Sequence, residues 1–251
     1  MGCAMDDLHT LDLVFFLVGT FAAAMVTGLA GFAFGIVAAA IWLHVLPPAQ
    51  ATALIVAFGL IVQGVSVWKL RKAIKWDRLT PFLIGGAIGV PIGGELMRWT
   101  TPNNLRMAMA AILVLFSLWN LFRPNLGSMT RAGVLADGSV GVVNGVVGSA
   151  TGLAGIAAVI WCSLRGWPPA EQRAAFQPSG VAVFLMTAVW LGSTGMVGFH
   201  ETKLFLLGLP ALALGTWVGL KLFGKLNDAM FRRTVLVLLL VSGLSLLVLH
   251  R

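Results

Sequence analysis

Two stretches of this chain, 11–46 and 132–164, are apolar for far longer than one membrane crossing needs, and the same five letters interrupt both. TGLAG occurs at Thr27–Gly31 and again at Thr151–Gly155. About 20 apolar residues suffice for a helix to cross a bilayer core. Breaking a helix inside that core strands backbone N–H and C=O groups, which is tolerated only where protein or a water-filled cavity surrounds them. A chain that pays this penalty twice, with the same letters, is constrained to fold around its two breaks.

Composition agrees with the membrane setting. The chain is 59% hydrophobic and 10% charged, against roughly 25% charged residues in a soluble domain. The spans are rich in Leu, Ala, Val and Gly, without the alternation of barrel strands. Apolar segments fall at about 11–46, 49–68, 79–97, 105–122, 132–164, 174–199, 204–220 and 233–249. The expected fold is an all-α polytopic membrane protein of about 8–10 transmembrane segments, including two glycine-broken hairpins. No stretch is polar enough for a soluble domain, so 1–251 reads as one transmembrane domain. The net charge of +8 sits in short loops, where positive residues set topology; no nucleic-acid partner is expected. Cys3 and Cys162 lack metal-ligand spacing. The N-terminus is acidic where a signal peptide would be basic, and is expected to stay uncleaved.

The halves, 11–122 and 132–249, read as copies joined at Arg123–Arg131. TGLAG is followed by LPPAQ (46–50) in one half and WPPAE (167–171) in the other. GVPIGGEL (89–96) then aligns with GTWVGLKL (215–222), and TPNNLRM (101–107) with NDAMFRR (227–233). Four matches in the same order, at offsets of 121 to 126, imply duplication. If each TGLAG segment is a hairpin, each half crosses an odd number of times and the second half is inverted. With the N-terminus outside, 13 of the 17 basic residues then lie on the cytoplasmic side; Arg98, Arg106, Lys203 and Arg251 do not. Single crossings with the N-terminus inside give about 9 to 8. The positive-inside rule selects inverted repeats.

Depth suggests what the breaks are for. Nine residues separate the second TGLAG from Arg165, a rise of about 14 Å that ends near the middle of a ~30 Å core. The glycines permit positive φ, and Thr27 and Thr151 are expected to cap the helices that follow. A helix N-terminus carries partial positive charge and free N–H donors. Two such ends facing each other would hold an anion without a buried Lys or Arg, and none lies inside a span. GGAIGVPIGG (85–94) reads instead as helix packing, with small residues every four positions. Gly85, Gly89 and Gly93 also offer a close-packing face on which a second copy could form a homodimer.

The duplicated glycine-rich break, the proline turn after it and the eight-segment layout together resemble the sulfite exporter TauE/SafE family, from about Leu11 to Leu249. The resemblance implies a multi-pass carrier of the bacterial inner membrane that exports sulfite, sulfoacetate or a related sulfur-containing anion, coupled to the proton gradient. Its glycine-rich stretches match Thr27, Gly28, Gly31 and Gly35, and Thr151, Gly152 and Gly155. The counterpart of Gly35 in the second copy is Val159.

Other polar residues in spans are candidates for the pathway. In QPSG (177–180), Pro178 frees a carbonyl that Gln177 or Ser179 could bind, or both could face a substrate oxygen. Thr52 and Gln50 follow the matching turn in the first half. Gln63 and Asn144 could line a path or bond between helices. Asp137 is expected near the cytoplasmic surface and could carry a proton; Glu95 pairs with Arg98 at i, i+3. His44, His200 and Glu201 are interfacial. None convinces as a coupling group, so uniport or channel-like flux stays open. No paired carboxylate or nucleophile–base arrangement suggests an enzyme, and no cofactor is called for. A cation carrier would show more buried carboxylates. The alternative is an anion carrier or channel of unrelated substrate.

Overall fold

The computed structural model describes residues 10–30, 33–122, 129, 132–196, 198–222 and 228–249. Cys3, Gly31 and all but Met129 of the Arg123–Arg131 boundary lie outside them. The described residues form ten helices and no strand: α1 (Thr10–Ala30), α2 (Phe34–Trp42), α3 (Pro48–Leu70), α4 (Trp76–Trp99), α5 (Pro102–Phe122), α6 (Val134–Thr151), α7 (Ile156–Leu164), α8 (Pro169–Ser193), α9 (Phe199–Leu222) and α10 (Asp228–Leu249). Seven of them, α1, α3, α4, α5, α6, α8 and α9, are long and apolar enough to cross a membrane. In α10 the apolar stretch is Arg233–Val248. The chain is a polytopic, all-α membrane protein.

Proline places the starts of the long helices. Pro47 (φ −59°, ψ 142°) and Pro168 (φ −56°, ψ 147°) are extended, as a residue before proline prefers to be, and Pro48 and Pro169 then open α3 and α8. This is the structural content of the LPPAQ and WPPAE match. α5 likewise opens on Pro102. The helices α2 and α7 are nine residues each, rising only about 14 Å.

Glycine brings the helices together. On α4, a Cβ added at Gly85, Gly89 or Gly93 would collide with backbone carbonyls of Gly138, Val142 and Val146 on α6. The sequence expectation of packing for GGAIGVPIGG is met within the chain. That face is occupied by α6 and is therefore not open to a second copy. A neighbouring face of α4 shows Ile84, Ile88, Ile92 and Leu96 to the exterior, an apolar stripe suited to lipid. α1 packs on α9 the same way, with Gly215 and Gly219 against the carbonyls of Phe21 and Met25. In both pairs the contacts advance in step along the two helices, so each pair runs parallel. α3 lies against α8, with Gly59 beside the Phe184 ring, and α5 against α10, with Gly243 beside Val114. Between α1, α2 and α3 the rings of Phe16, Phe34, Trp42 and Phe58 cluster at centroid distances of 5.1 to 6.5 Å, filling the space under the first hairpin.

Because Gly89 meets backbone rather than a movable side chain, Gly89→Leu is expected to force α4 and α6 apart. It should cost more than the about 1–3 kcal/mol of ordinary overpacking. Thermal unfolding in detergent, followed by size-exclusion chromatography, checks this; a wild-type profile would rule out the close approach.

Candidate functional site at two helix breaks

Hydrogen bonds tie down the ends of both short helices, and for α2 the partner is α5. Near its start, Arg106 Nη2 donates to the Leu46 carbonyl at 3.3 Å, beside the end of α2. The Met129 N–H donates to the Leu164 carbonyl at 2.8 Å, at the end of α7. Within the first hairpin, Trp42 Nε1 donates to the Phe16 carbonyl at 3.2 Å, so the last turn of α2 has come back beside the early part of α1.

The second break is built by glycine and one amide. α6 ends on Gly152 in the left-handed region (φ 72°), and Gly155 (φ 96°) is the residue from which α7 starts. The Gly152 N–H donates to Gly148 O at 2.9 Å. The Gly155 N–H donates to Asn144 Oδ1 at 2.7 Å. Asn144 thus serves the break itself instead of bridging two separate helices. At the start of α7 the N–H groups of Ile156, Ala157 and Ala158 have no acceptor among the described residues, as the first turn of a helix requires.

The first break sits later in its motif than expected. α1 continues through Thr27 and Gly28 to Ala30, and α2 is entered through Ala33 (φ 87°), the one non-glycine residue with positive φ among those described. The capping role expected of the two threonines is corrected here. Thr27 Oγ1 donates to Ala23 O at 2.7 Å and Thr151 Oγ1 to Val147 O at 2.5 Å. Both hydroxyls turn back onto the preceding helix, four residues behind, as threonine does in a helix interior. The N-caps are Ala33 and Gly155, with no side-chain hydrogen bond.

The breaks meet. A Cβ on Gly35 would lie 2.9 Å from the Gly152 carbonyl oxygen and 2.9 Å from Ile55. Between them is a cavity of about 20 Å³, room for about one water. α2 and its entry contribute Ala33, Gly35 and Ile36, and the second break contributes Leu153 to Ile156, with Val159 one turn on. Gly35 and its sequence counterpart Val159 therefore line the same space. Gln63 from α3, Phe116 from α5 and Phe176 from α8 complete the wall. No lining residue is charged.

The other expected residues separate into three groups. Thr27, Gly28 and Gln177 line a larger groove of about 700 Å³ with Ser66, Arg173 and Trp217. Gly28 also packs on α9, where a Cβ would lie 2.9 Å from Thr216 O. Ser179 Oγ donates to Phe176 O at 2.9 Å, so its hydroxyl is turned onto its own helix and not onto the Ala174 carbonyl that Pro178 leaves free. Thr52 is fully buried, its hydroxyl has no partner, and its carbonyl lies 3.3 Å from a Cβ built on Gly152; it backs the second break without lining the cavity. Ala33, Phe116 and Phe176 carried no sequence signal, since nothing separates them from other apolar residues in spans.

Charges close the mouth of the second hairpin. Asp137, buried, accepts from Trp161 Nε1 at 2.6 Å and from Arg165 Nη2 at 3.3 Å. Arg165 and Arg78 both lie over the Trp167 ring, and Arg78 and Lys75 pair with Glu171 at the start of α8. Glu95 and Arg98 form the expected i, i+3 pair at 2.8 Å.

Residues 15–246 match the family model described as sulfite exporter TauE/SafE. No curated protein and no solved structure matches the chain.

The two glycines of the second break separate strain from space. A Cβ at Gly155 meets nothing within 4 Å, whereas one at Gly152 lies 3.0 Å from Ile55. Gly155→Ala is expected to lose about 1–2 kcal/mol from its left-handed backbone alone, and Gly152→Ala to lose more. Thermal unfolding of the two variants in one detergent gives the order; the reverse order would contradict this geometry.

Proposed function

The chain belongs to the sulfite exporter TauE/SafE family, and on that premise we propose that it exports a small sulfur-containing anion such as sulfite through the meeting point of its two helix breaks. Membership of the family implies membrane transport of sulfur anions such as sulfite. The observation that carries the finer reading is the cavity: α2 and α7 both begin at its wall, and no charged side chain lines it. Helix N-termini are anion-binding ends. In a site without Lys or Arg they are what would hold the negative charge.

In this reading the halves 11–122 and 132–249 are inverted repeats. Exchanging α1–α5 with α6–α10 turns the pair α1·α9 into α6·α4 and maps α3·α8 and α5·α10 onto themselves, and these are the main contacts of the bundle. Repeats arranged in this way support alternating access, with the site fixed where they meet. The cavity of about 20 Å³ corresponds to a closed state, and the groove holding Thr27, Gly28, Gln177 and Arg173 to an approach from the basic end. The placement of basic residues at that end, Arg71, Lys72, Lys75, Arg78, Arg165 and Arg173 among them, supports its assignment to the cytoplasm of a bacterial inner membrane. Coupling to the proton gradient is part of the proposal.

The test is flux in proteoliposomes with labelled sulfite, sulfoacetate, thiosulfate and phosphate, with and without a pH gradient. Sulfite flux that rises with the gradient is expected. Gly35→Val, which fills the cavity against Gly152 and Ile55, should reduce that flux at least tenfold. Transport of phosphate with no sulfur anion would favour the alternative carrier, and flux indifferent to the gradient would favour uniport.

A further inference from the structure

We propose that the cavity accepts only singly charged oxyanions, oriented by the Gln63 amide, so that the hydrogensulfite or sulfonate monoanion is carried and the sulfite or sulfate dianion is not. This deepens the proposed function and rests on it. Two independent observations carry it.

The first is charge. Two helix N-termini reach the cavity wall, at Ala33 and at Gly155. Each is equivalent to about half a positive charge, and together they offset about one negative charge. No Lys, Arg or His lines the space to balance a second. An uncompensated charge in a buried, apolar site is strongly disfavoured. A dianion would therefore leave one charge unmatched, while a monoanion would be neutralised by backbone alone.

The second is Gln63. It is 7% exposed, lines the cavity, and its amide makes no hydrogen bond to any described residue. Its Oε1 lies 3.6 Å from a Cβ built on Gly180, whose next neighbours are Gly155 Cα and Ala154 O at 3.9 and 4.0 Å. The amide therefore sits beside the second break. A side chain this enclosed, whose amide makes no bond to a described residue and opens onto the cavity beside two helix starts, points to a ligand as its partner. An amide also has both functions: its NH₂ donates to an anion oxygen, and its carbonyl accepts from the O–H of a protonated oxyanion. A lysine at this place would add charge and could not accept. Phe116 and Phe176 give the remaining wall an apolar character suited to the carbon side of a sulfonate.

The full chain in proteoliposomes, carrying labelled sulfite at one fixed pH, tests charge selection by competition. Methanesulfonate, a monoanion, is expected to inhibit, and sulfate in the same excess is not. Equal inhibition by both would overturn charge matching while leaving an anion site standing. Absence of any sulfite flux would overturn the underlying reading as well. For the amide, Gln63→Leu is expected to raise the half-inhibitory methanesulfonate concentration at least tenfold, the loss of a hydrogen bond to a charged group. Because Gln63 bonds to no described residue, the same variant should unfold at or above the wild-type temperature. Unchanged inhibition, or a clear drop in unfolding temperature, would make Gln63 structural and overturn its role. Gln63→Glu should abolish inhibition by adding a negative charge beside the helix starts; retained inhibition would count against the site.

Discussion

A backbone that leaves helical geometry inside an apolar bundle must find partners for the groups it releases, and most of this architecture follows from how two segments do so. In the second break the solution is explicit. Two glycines adopt left-handed φ, Thr151 Oγ1 accepts from the Leu153 N–H, and Asn144, two turns back on α6, accepts from Gly155. Asn144 is only 1% exposed, so this hydrogen bond forms where water cannot replace it. Away from the cavity, such an irregular segment needs close cover. α4 and α8 close over it through glycine, and Gly145 and Gly148 let Gly86 and Val183 approach within van der Waals limits. The glycine content is thus one consequence of the breaks: the breaks need cover, and cover at that range needs residues without side chains.

Charge is arranged by the same logic. The long helices carry their ionisable groups toward their ends, and Lys75, Arg78 and Glu171, and Glu95 and Arg98, pair there with one another instead of with the cavity. Asp137 is the exception in depth, buried yet answered by Arg165 and Trp161. The pair ties the start of α6 to the end of α7 and so closes the hairpin at its mouth. Arg165 and Arg78 flank one tryptophan ring, and this joins the hairpin to α4 and α8. The corresponding mouth of the first hairpin is held by Arg106 on a backbone carbonyl and by the Trp42–Phe16 contact, without a carboxylate. The two hairpin mouths are therefore fastened by different chemistry.

The helix positions were legible in the sequence wherever apolar length and proline spoke together. The starts of α3, α5 and α8 follow from Pro48, Pro102 and Pro169, and the nine-residue length of α7 from Ile156 to Arg165 was countable. The packing role of Gly85, Gly89 and Gly93 was legible as a four-residue period, but its partner was not, because period alone does not say whether the facing helix belongs to the same chain. Where the first helix stops was also hidden. The glycine motif predicted a break at Thr27, yet α1 carries Thr27 and Gly28 onward because Thr27 Oγ1 bonds Ala23 O and Gly28 fits against α9. Ala33 then takes the left-handed turn, a conformation that its residue type does not announce. Of the cavity wall, the two breaks were foreseen. Phe116 and Phe176 were not, since only folding brings α5 and α8 to that point.

On the proposed reading of the halves as copies, Gly35 and Val159 show why duplication need not give a symmetric cavity. They hold equivalent positions, and both line the same wall, but a Cβ on Gly35 would strike Gly152 and Ile55 whereas Val159 has room for its side chain. The helix starts differ too, since α7 is entered through a glycine and α2 through an alanine. On the proposed reading, the anion would then be held by two unequal ends, with bare backbone at α2 and a valine-narrowed wall at α7. A site assembled from partial charges also has a kinetic merit. A full cation would hold an anion tightly in either orientation of the carrier, while dipoles that must be brought together lose their combined pull as the hairpins part. Release would thus be built into the same movement that opens the path, which is what a carrier without a buried Lys or Arg requires.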